Sequence, residues 1–518
     1  MIESLSNQRQ SFFGTSRWAQ MLVLLVMFAA ALAIRVYDIT DLPLDFQPTR
    51  QLYTAILARG RYYQQLTSAP QEQRDLAIGM WRIEGIESPV FDSMAAFSYE
   101  VVGQEILWLP RLESAIIWVL GGIFLYLLAR DMTSVDGGLV AAAFYWFVPY
   151  GIVASRAFMP DPLTTALSIV TWWGLYRWYL KRSWKWVMIC GLAAGLAIFT
   201  KALAVFPIFG GFLGILIARG FRKSFTDLQF WAMGALTAIP TIIYMIYGFF
   251  VQGGLGSDFA LRFFPQLWLD PVFYLRWEGM LEGVIGLAFF VAALVGIFLY
   301  ETKEKRAILI SHWIAYVIFA LIFAYYFSTH DYYHIALVPV VGLSLAPLGE
   351  VISSRLRQLN PGKWLRIVIV ACLVFGVAFN LWNVRNTFHK TDYRPQLAYW
   401  QHIGGILKHH STTALTQDYG YRLEYFGWIE PAAYWPYTGD TALRLLAGMK
   451  APEFDQQFQE LTQRSEFFLI TDLNELNNQP QLKSYLQTHY PIYDQGTDYL
   501  IYDLRKPLPA ATQSGVTP

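Results

Sequence analysis

Charged residues are scarce in this sequence. Asp, Glu, Lys and Arg make up 15% of the 518 residues, whereas 55% are hydrophobic, and the net charge is +1. Soluble globular proteins carry about a quarter charged residues, so the composition indicates a membrane protein. The balanced net charge also argues against a nucleic-acid partner, which would require a basic face.

Cysteine is scarce as well. Cys190 and Cys372 both lie inside apolar segments, so we expect free thiols and no disulfide. The sequence has no Cys/His spacing typical of zinc sites and no glycine motif typical of nucleotide binding. Aromatic residues, by contrast, reach 17% and include 19 Trp, as expected where many helix ends meet a membrane interface.

Apolar segments long enough to cross about 30 Å of hydrocarbon recur along the chain. They lie near residues 18–35, 108–130, 137–154, 161–180, 185–200, 202–219, 229–251, 281–300, 307–327, 333–351 and 364–386. The sequence therefore predicts a multi-span α-helical membrane protein with about eleven transmembrane helices and a long first outer loop. The first span lacks a convincing cleavage site, and we interpret it as a retained anchor.

Basic residues alternate between successive loops. The basic loops hold Arg9 and Arg17, Arg130, Lys181 to Lys185, Arg219 to Lys223, Lys303 to Arg306, and Arg355 to Arg366. The positive-inside rule places these loops and the N-terminus in the cytoplasm and the C-terminus outside. We expect a plasma (inner) membrane protein with an extracytoplasmic C-terminal part.

Hydropathy changes after Asn386. The predicted division is a transmembrane domain (1–388), an extracytoplasmic domain (389–506) and a disordered tail (507–518). The helix-like and strand-like runs of the second part alternate in the order 397–410, 413–417, 467–471, 473–489 and 499–504. This alternation predicts a small α/β domain.

The first outer loop, about residues 36–107, is far longer than a connection between two spans needs to be. It carries Asp45, Arg50, Glu84 and Glu87, and we interpret it as one wall of an active site. Its run from 49 to 66 has the spacing of an interfacial helix. A second run, 259–280, mixes aromatic residues with arginines and predicts either interfacial packing or a groove for a lipid chain.

Other ionisable residues collect on the same outer side. Arg156 and Asp161 flank the turn between the third and fourth spans, and Lys201 lies between two apolar spans. The turn between the ninth and tenth spans reads His330-Asp331-Tyr332-Tyr333-His334. Ionisable residues at membrane depth are costly, so their arrival at one face from independent loops predicts a shared site.

Each of these residues also has a structural interpretation. Asp161, directly before Pro162, could cap a helix, and Lys201 could extend to the membrane interface. His330 and His334 could be interfacial hydrogen-bonding groups or metal ligands. Asp45 and Glu87 could be ordinary loop carboxylates.

Taken in order, these residues resemble the large-loop membrane glycosyltransferases of the GT-C class. Within it they are most similar to the family 39 branch, which contains the protein O-mannosyltransferases and the aminoarabinose transferase. The resemblance covers about residues 18–350. Its motifs are Asp45, Glu87-Ser88-Pro89, Leu109-Pro110-Arg111-Leu112, Ser155-Arg156, Met159-Pro160-Asp161, Thr200-Lys201 and His330-Asp331-Tyr332-Tyr333.

The resemblance implies transfer of a sugar from a polyprenyl-phosphate donor to an acceptor hydroxyl at the outer face, with inversion. The acceptor needs a base, and the catalytic candidates are Asp45, Glu87 and Asp161, with Asp45 first. The phosphate leaving group needs positive charge, and the candidates to supply it are Lys201, Arg156, His330, Arg262 and Arg276. Candidates for further substrate contacts are Arg50, Glu84, Tyr332 and Tyr333.

This chemistry requires no cofactor, and the question of a divalent metal stays open. The family usually has a second carboxylate after its first-loop Asp, whereas Asp45 is followed by Phe46. The expected partners are the lipid-linked donor, a lipid, glycan or protein acceptor, and membrane lipids. The sequence identifies neither the sugar nor the acceptor.

Two other functions fit parts of the pattern. A multi-span transporter or flippase for a sugar or lipid would also contain buried charges, but it would place them near the midplane. A non-catalytic assembly subunit would leave the clustered charges without a role. We therefore predict a glycosyltransferase.

Overall fold

The computed structural model describes residues 11–14, 16–81, 88–247, 250, 261–359 and 362–509. The chain folds into two compact units. The membrane unit comprises Met1–Asp41, Glu84–Ser98 and Ile106–Thr391, and the second unit comprises Leu42–Ile83, Tyr99–Glu105 and Asp392–Pro518. Most of the first loop thus belongs to the same compact unit as the C-terminal residues. The predicted division at residues 388 and 506 stays a prediction.

The described α-helices are numbered here in chain order. They are α1 (Arg17–Val36), α2 (Pro48–Gln65), α3 (Gln71–Trp81), α4 (Val90–Val102), α5 (Trp108–Met132), α6 (Val135–Phe147), α7 (Pro149–Ala154), α8 (Asp161–Leu180), α9 (Trp184–Thr200), α10 (Val205–Arg219), α11 (Phe221–Phe225), α12 (Leu228–Tyr247), α13 (Pro271–Ile285), α14 (Leu287–Leu299), α15 (Lys303–Ile322), α16 (Ala324–Thr329), α17 (Leu337–Gln358), α18 (Lys363–Lys390), α19 (Pro395–Leu407), α20 (Tyr421–Gly427), α21 (Thr438–Leu446), α22 (Phe454–Thr462), α23 (Leu473–Asn478) and α24 (Pro480–His489).

Each predicted span contains at least part of a helix of the membrane unit. In the described part of the chain, seven helices are long and apolar enough to cross a membrane, or eight when the bent pair α13–α14 counts as one span. Helices α6 and α9 are apolar but shorter. The multi-span helical fold is therefore confirmed, whereas the number eleven stays a prediction.

The helices that position the candidate site pack side by side. Helix α8 packs against α5, α9 and α10, and α10 packs along α15. A close approach of two other helices shows how tightly the unit is built: a Cβ added to Gly296 on α14 would lie 1.9 Å from the carbonyl oxygen of Ser344 on α17. Small residues at such crossings allow transmembrane helices to pack backbone to backbone.

Helices α13 and α14 meet at an angle of 89°. Gly286 joins them with φ 78°, a conformation that glycine adopts at little cost. The chain therefore turns through nearly a right angle at Gly286. A surface-lying helix was predicted for 259–280. In the structure a 3₁₀ helix (Pro265–Leu269) precedes α13, and residues 259 and 260 lie outside the described part.

The C-terminal part of the second unit contains a five-stranded sheet. Its strands are β1 (Thr412–Leu415), β2 (Ala433–Tyr434), β3 (Phe467–Ile470), β4 (Ile492–Gln495) and β5 (Leu500–Asp503), in the order β2-β1-β3-β5-β4. Strand β1 pairs in parallel with β2 and β3, and β5 runs antiparallel to β3 and β4. The predicted small α/β fold is thereby confirmed.

The central strands β1 and β3 of this sheet lie in its hydrophobic core. Every residue of β1 and β3 is buried, as expected for a strand covered on both faces. Trp435, Phe458 and Phe468 pack together with Leu486 and Tyr502 in one cluster. Helices α22 and α24 supply part of that cover.

Candidate functional site

The polar residues of the membrane unit that converge on one pocket lie where helices begin or break. Asp161 is the first residue of α8 and stands between Pro160 and Pro162. Lys201 follows the last residue of α9, in an extended conformation, and precedes a 3₁₀ helix (Ala202–Ala204). Helix breaks expose backbone groups that need partners, and these two breaks place opposite charges side by side.

Asp161 and Lys201 form a buried ion pair. The Nζ atom of Lys201 lies 2.8 Å and 3.0 Å from the two carboxylate oxygens of Asp161. Only 8% of the lysine side chain and 7% of the aspartate side chain are exposed. The ammonium group of Lys201 therefore pairs with a buried carboxylate, and that carboxylate does not act as a side-chain cap of α8.

A pocket of about 400 Å³, including its open part, adjoins this pair. Its lining comprises Asp161, Thr164, Thr165, Ser168, Lys201, Leu203, Ala204, Pro207, Phe319, Tyr332, Tyr333, Ile335 and Ala336. The hydroxyls of Thr164 and Ser168 donate to carbonyl oxygens of Asp161 and Thr164. The strongest polar groups at the pocket are therefore the two charges, and most of the remaining wall is apolar or aromatic.

Tyr332 and Tyr333 supply the aromatic wall. The ring centre of Tyr332 lies 5.1 Å from the Nζ atom of Lys201, within the range of a cation–π contact. Both tyrosines belong to a 3₁₀ helix (Asp331–His334), and 8% of each is exposed. Of the substrate-contact candidates predicted from sequence, these two lie at the pocket.

His334 holds this 3₁₀ helix in place. Its Nδ1 atom lies 2.7 Å from the hydroxyl of Tyr316, and its Nε2 atom lies 2.8 Å from the carbonyl oxygen of Phe327. The indole of Trp277 on α13 donates to the same hydroxyl of Tyr316. Both ring nitrogens of this buried histidine therefore have protein partners, which favours the structural interpretation over metal binding.

His330 lies at the edge of this aromatic cluster. It is half-buried, its Nδ1 atom is 2.8 Å from the hydroxyl of Thr329, and its ring lies 5.5 Å from that of Tyr332. Among the described residues, no group of three or more His, Cys, Asp or Glu side chains could hold a metal ion.

Arg156 has partners away from the pocket lining. It donates to the carbonyl oxygens of Tyr37 and Asp38, at the start of the first loop. Its guanidinium lies 4.1 Å from the ring centre of Phe388. Two further buried arginines, Arg35 and Arg111, also donate to backbone carbonyls. Arg111 entered the sequence-based prediction only as part of the Leu109-Pro110-Arg111-Leu112 motif, and Arg35 was not predicted.

The two remaining arginines proposed for the donor phosphate lie before and on α13. Arg262 is half-buried in a turn before the 3₁₀ helix, and Arg276 is exposed on α13. The Glu87-Ser88-Pro89 motif is described from Ser88 onward, and Ser88 donates to the carbonyl oxygen of Phe199. That contact ties the motif to the turn that carries Lys201, whereas Glu84 and Glu87 lie outside the described residues.

Asp45 and Arg50 belong to the second unit. Asp45 is half-buried, and its carboxylate lies 3.4 Å from the amide nitrogen of Gln51. Gln47, the residue before α2, has φ 44° and ψ 58°, a left-handed conformation that is uncommon outside glycine. This turn presents Asp45 just ahead of α2. Arg50 lies on the first turn of α2, 5.9 Å from the ring centre of Tyr53.

Sequence reasoning missed a charged centre in the second unit. Arg59 on α2 lies 2.9 Å from Glu105 and donates to the carbonyl oxygen of Tyr425. Its guanidinium lies 3.6 Å from the ring centre of Tyr425 and 4.1 Å from that of Trp428. Burial disfavours the charged guanidinium, but Glu105 and Tyr425 outweigh it and raise the pKa of Arg59.

Comparisons with known proteins show what this chain is similar to. A family model described as dolichyl-phosphate-mannose-protein mannosyltransferase matches residues 87–247, which include Asp161 and Lys201. No curated protein matches the chain by sequence.

Solved structures resemble the chain over most of its length. ArnT from Cupriavidus metallidurans in the apo state has a TM-score of 0.57 at 14% identity, over 92% of this chain and 97% of that one. The same protein bound to undecaprenyl phosphate has a TM-score of 0.55 at 15% identity, over 93% and 97%. The archaeal oligosaccharyltransferase AglB from Archaeoglobus fulgidus, in complex with an inhibitory peptide and a dolichol-phosphate, has a TM-score of 0.54 at 12% identity, over 94% and 74%.

At these identities the structural likeness shows the fold. Together with the family match, it confirms the predicted resemblance to the GT-C class and to its aminoarabinose transferase-like members. The family match also bears out the prediction of a glycosyltransferase with a lipid-linked donor. A transporter is not favoured.

Proposed function

We propose that this protein transfers a sugar from a polyprenyl-phosphate donor to an acceptor hydroxyl at the outer face of the membrane, with inversion at the anomeric carbon. One observation carries the proposal: a buried cation, Lys201, stands at a pocket whose other walls are mostly apolar and aromatic. A lipid-linked phosphate combines the same two properties, because an anionic group is joined to a hydrocarbon chain.

The chemistry makes Lys201 the leading residue for the donor phosphate. When the sugar leaves, negative charge develops on the phosphate oxygen, and a preorganised cation in a site of low dielectric constant stabilises that charge strongly. Arg156 is a weaker choice because both of its terminal nitrogens donate to backbone carbonyls. His330, Arg262 and Arg276 stay as candidates for contacts farther along the donor.

The acceptor hydroxyl must lose a proton as it attacks. A carboxylate within hydrogen-bond reach of the acceptor can take that proton. Asp45 is our first choice because a tight turn ahead of α2 presents it half-buried. Glu87 and Asp161 are its rivals, and Arg50, Glu84, Tyr332 and Tyr333 are the proposed groups for sugar or acceptor contacts.

The decisive experiment is mass spectrometry of glycans and glycolipids in a strain that lacks the gene. We expect one sugar modification to disappear and the polyprenyl-phosphate-linked sugar to accumulate. Complementation with the wild-type gene should restore the modification, and complementation with Asp45→Asn should not. An unchanged set of glycans and lipid-linked sugars would contradict the proposal.

Placement at the outer face has its own test, because the distribution of basic loops is its only support. Cysteines introduced at Ser68, in the second unit, and at Lys181, in a basic loop, are both exposed. In a background without Cys190 and Cys372, a membrane-impermeant thiol reagent should label Ser68→Cys in intact cells and miss Lys181→Cys. If only Lys181→Cys were labelled, the topology would be the reverse of the proposed one.

A further inference from the structure

The carboxylate of Asp161 occupies the position that an anion at Lys201 would take. Its two oxygens lie 2.8 Å and 3.0 Å from Nζ, so the ammonium group is engaged by two negative oxygens at once. The side chain of Tyr332 faces the same ammonium group. Any phosphate that binds Lys201 must therefore compete with Asp161.

The proposed reaction changes the charge of the competing phosphate. The donor is a phosphodiester with one negative charge. The bond between the anomeric carbon and the phosphate oxygen breaks, both electrons stay on that oxygen, and the acceptor oxygen bonds to carbon while its proton passes to the base. The product is a polyprenyl phosphate monoester, whose second pKa near 6 gives it about −1.5 to −2 charges at neutral pH.

An isolated buried lysine would consequently bind the product more tightly than the substrate. The attraction between charges is strong where water is excluded, so product release would become slow. We propose that Asp161 prevents this slow release. It is a positioning residue whose carboxylate competes with the product phosphate for Lys201 and thereby promotes dissociation of the polyprenyl phosphate. This inference rests on the function proposed above.

The local structure suits an exchange of partners. Asp161 is held in the first turn of α8 between two prolines, so its carboxylate stays in place. Lys201 has a flexible four-carbon stem and lies in an extended segment between α9 and a 3₁₀ helix. The lysine can therefore move between the carboxylate and a phosphate in the adjoining pocket.

The test compares two lipids that differ in one ionisable oxygen, undecaprenyl phosphate and its methyl phosphodiester. Their affinities are measured for the full-length protein in nanodiscs. The wild-type protein should bind the two lipids within about threefold of each other. In Asp161→Asn the affinity for the monoester should rise on the order of tenfold, and the affinity for the diester should rise less, because hydrogen bonds to charged groups are worth about that factor.

Matched variants separate this role from general damage. Asp161→Glu keeps the charge and should restore the wild-type ratio of the two affinities. Asp131→Asn removes a carboxylate from another ion pair involving α8, with Arg177 at 2.9 Å, and should leave both affinities unchanged. Lys201→Met should weaken binding of both lipids.

Kinetics supply a second readout. In Asp161→Asn the steady state should become limited by product release, and inhibition by undecaprenyl phosphate should be stronger than in the wild-type protein. Loss of a purely structural aspartate would slow turnover without strengthening that inhibition. Weaker or unchanged binding of the monoester by Asp161→Asn would overturn the inference.

Removing one member of a buried ion pair can prevent folding, so the wild-type protein also serves as a test. Preference for the monoester by more than about tenfold in the wild-type protein would overturn the inference without any variant. If the wild-type protein binds neither lipid, the proposed function itself fails. If it binds both and Lys201→Met weakens both, while Asp161→Asn has no effect, only the role of Asp161 fails.

Discussion

Two buried ion pairs, one in each compact unit, have nearly the same geometry. Lys201 and Asp161 are 2.8 Å apart with side chains 8% and 7% exposed, and Arg59 and Glu105 are 2.9 Å apart with side chains 5% and 14% exposed. Their surroundings differ. Arg59 is covered by the rings of Tyr425 and Trp428, whereas Lys201 and Asp161 both line a pocket.

The difference shows that burial of a charge does not by itself identify a functional site. The guanidinium of Arg59 has an acidic partner, a backbone carbonyl and two aromatic faces, so its role in holding α2 to α20 accounts for it fully. Space beside the Lys201–Asp161 pair is what allows a second anion to approach. Substitutions in the two pairs should therefore affect different properties, and four predictions follow the order of their expected size.

The largest effect is expected at a carboxylate that belongs to neither pair. Asp45→Asn should lower turnover by about 10²–10⁴-fold, the usual contribution of a general base. Thermal unfolding should change little, because Asp45 is half-buried and asparagine has nearly the same size and shape. Side-by-side turnover of Asp45→Asn, Glu87→Gln and Asp161→Asn measures this, and near-normal turnover of the first variant would leave the role to the other two.

The second prediction concerns the cation at the pocket. Lys201→Ala should weaken binding of the polyprenyl-phosphate-linked donor by about 10- to 100-fold, as expected for loss of a hydrogen bond to a charged group. Lys201→Arg should retain part of that affinity, because it keeps the charge. Lys181→Ala, an exposed lysine in a basic loop, is the control. Equal donor affinity in all three variants would show that the donor phosphate binds at another site.

The third prediction concerns the ion pair without a pocket. Arg59→Met should destabilise the protein by about 3 kcal/mol, because Glu105, whose side chain is only 14% exposed, loses its cationic partner and keeps the hydroxyl of Tyr425, while donor affinity stays unchanged. Lys408→Met breaks the exposed pair with Glu72 at 3.7 Å and should cost less than about 1 kcal/mol. Thermal unfolding and donor binding measured on the same samples decide. If Arg59→Met lost donor affinity without losing stability, the Arg59–Glu105 pair could not be purely structural, and the proposed difference between the two pairs would be wrong.

The smallest effect at neutral pH is expected from Glu424 in the second unit. Burial, with a contribution from Glu430, raises its pKa from 4.5 to about 8. Because the folded-state pKa is the higher one, the stabilisation from the protonated carboxyl is complete below about pH 4.5 and is lost as pH rises through 8. Glu424→Gln cannot deprotonate and should not lose stability in this way, so the variant should be more stable to heat than the wild-type protein between pH 7 and 9. If the thermal stabilities of the two proteins changed with pH in parallel, the prediction would be wrong.

Features that depend on neighbouring residues in the sequence could be predicted, whereas contacts between distant segments could not. Strands near 413–417, 467–471 and 499–504 were predicted from local strand-like runs, and β1, β3 and β5 lie there. The surface-lying segment near 259–280 was likewise predicted from its own pattern of aromatic and basic residues, and its place at a membrane surface stays a prediction. The roles of His334 and Arg156 were not foreseen, because their partners, Tyr316, Phe327, Tyr37 and Asp38, lie on other segments.

The amino-acid sequence by itself determined the multi-span helical class and the C-terminal α/β fold, whereas the common sidedness of the ionisable residues stays a prediction. Hydropathy and periodicity are properties of neighbouring residues, so they can be read locally. Tertiary structure alone decided that Asp161 and Lys201, 40 positions apart, form one ion pair at a pocket. It also decided that Arg59, Glu105 and Tyr425 form a closed network. Whether a buried charge adjoins space or aromatic rings depends on the packing of distant helices, and no local pattern records that packing.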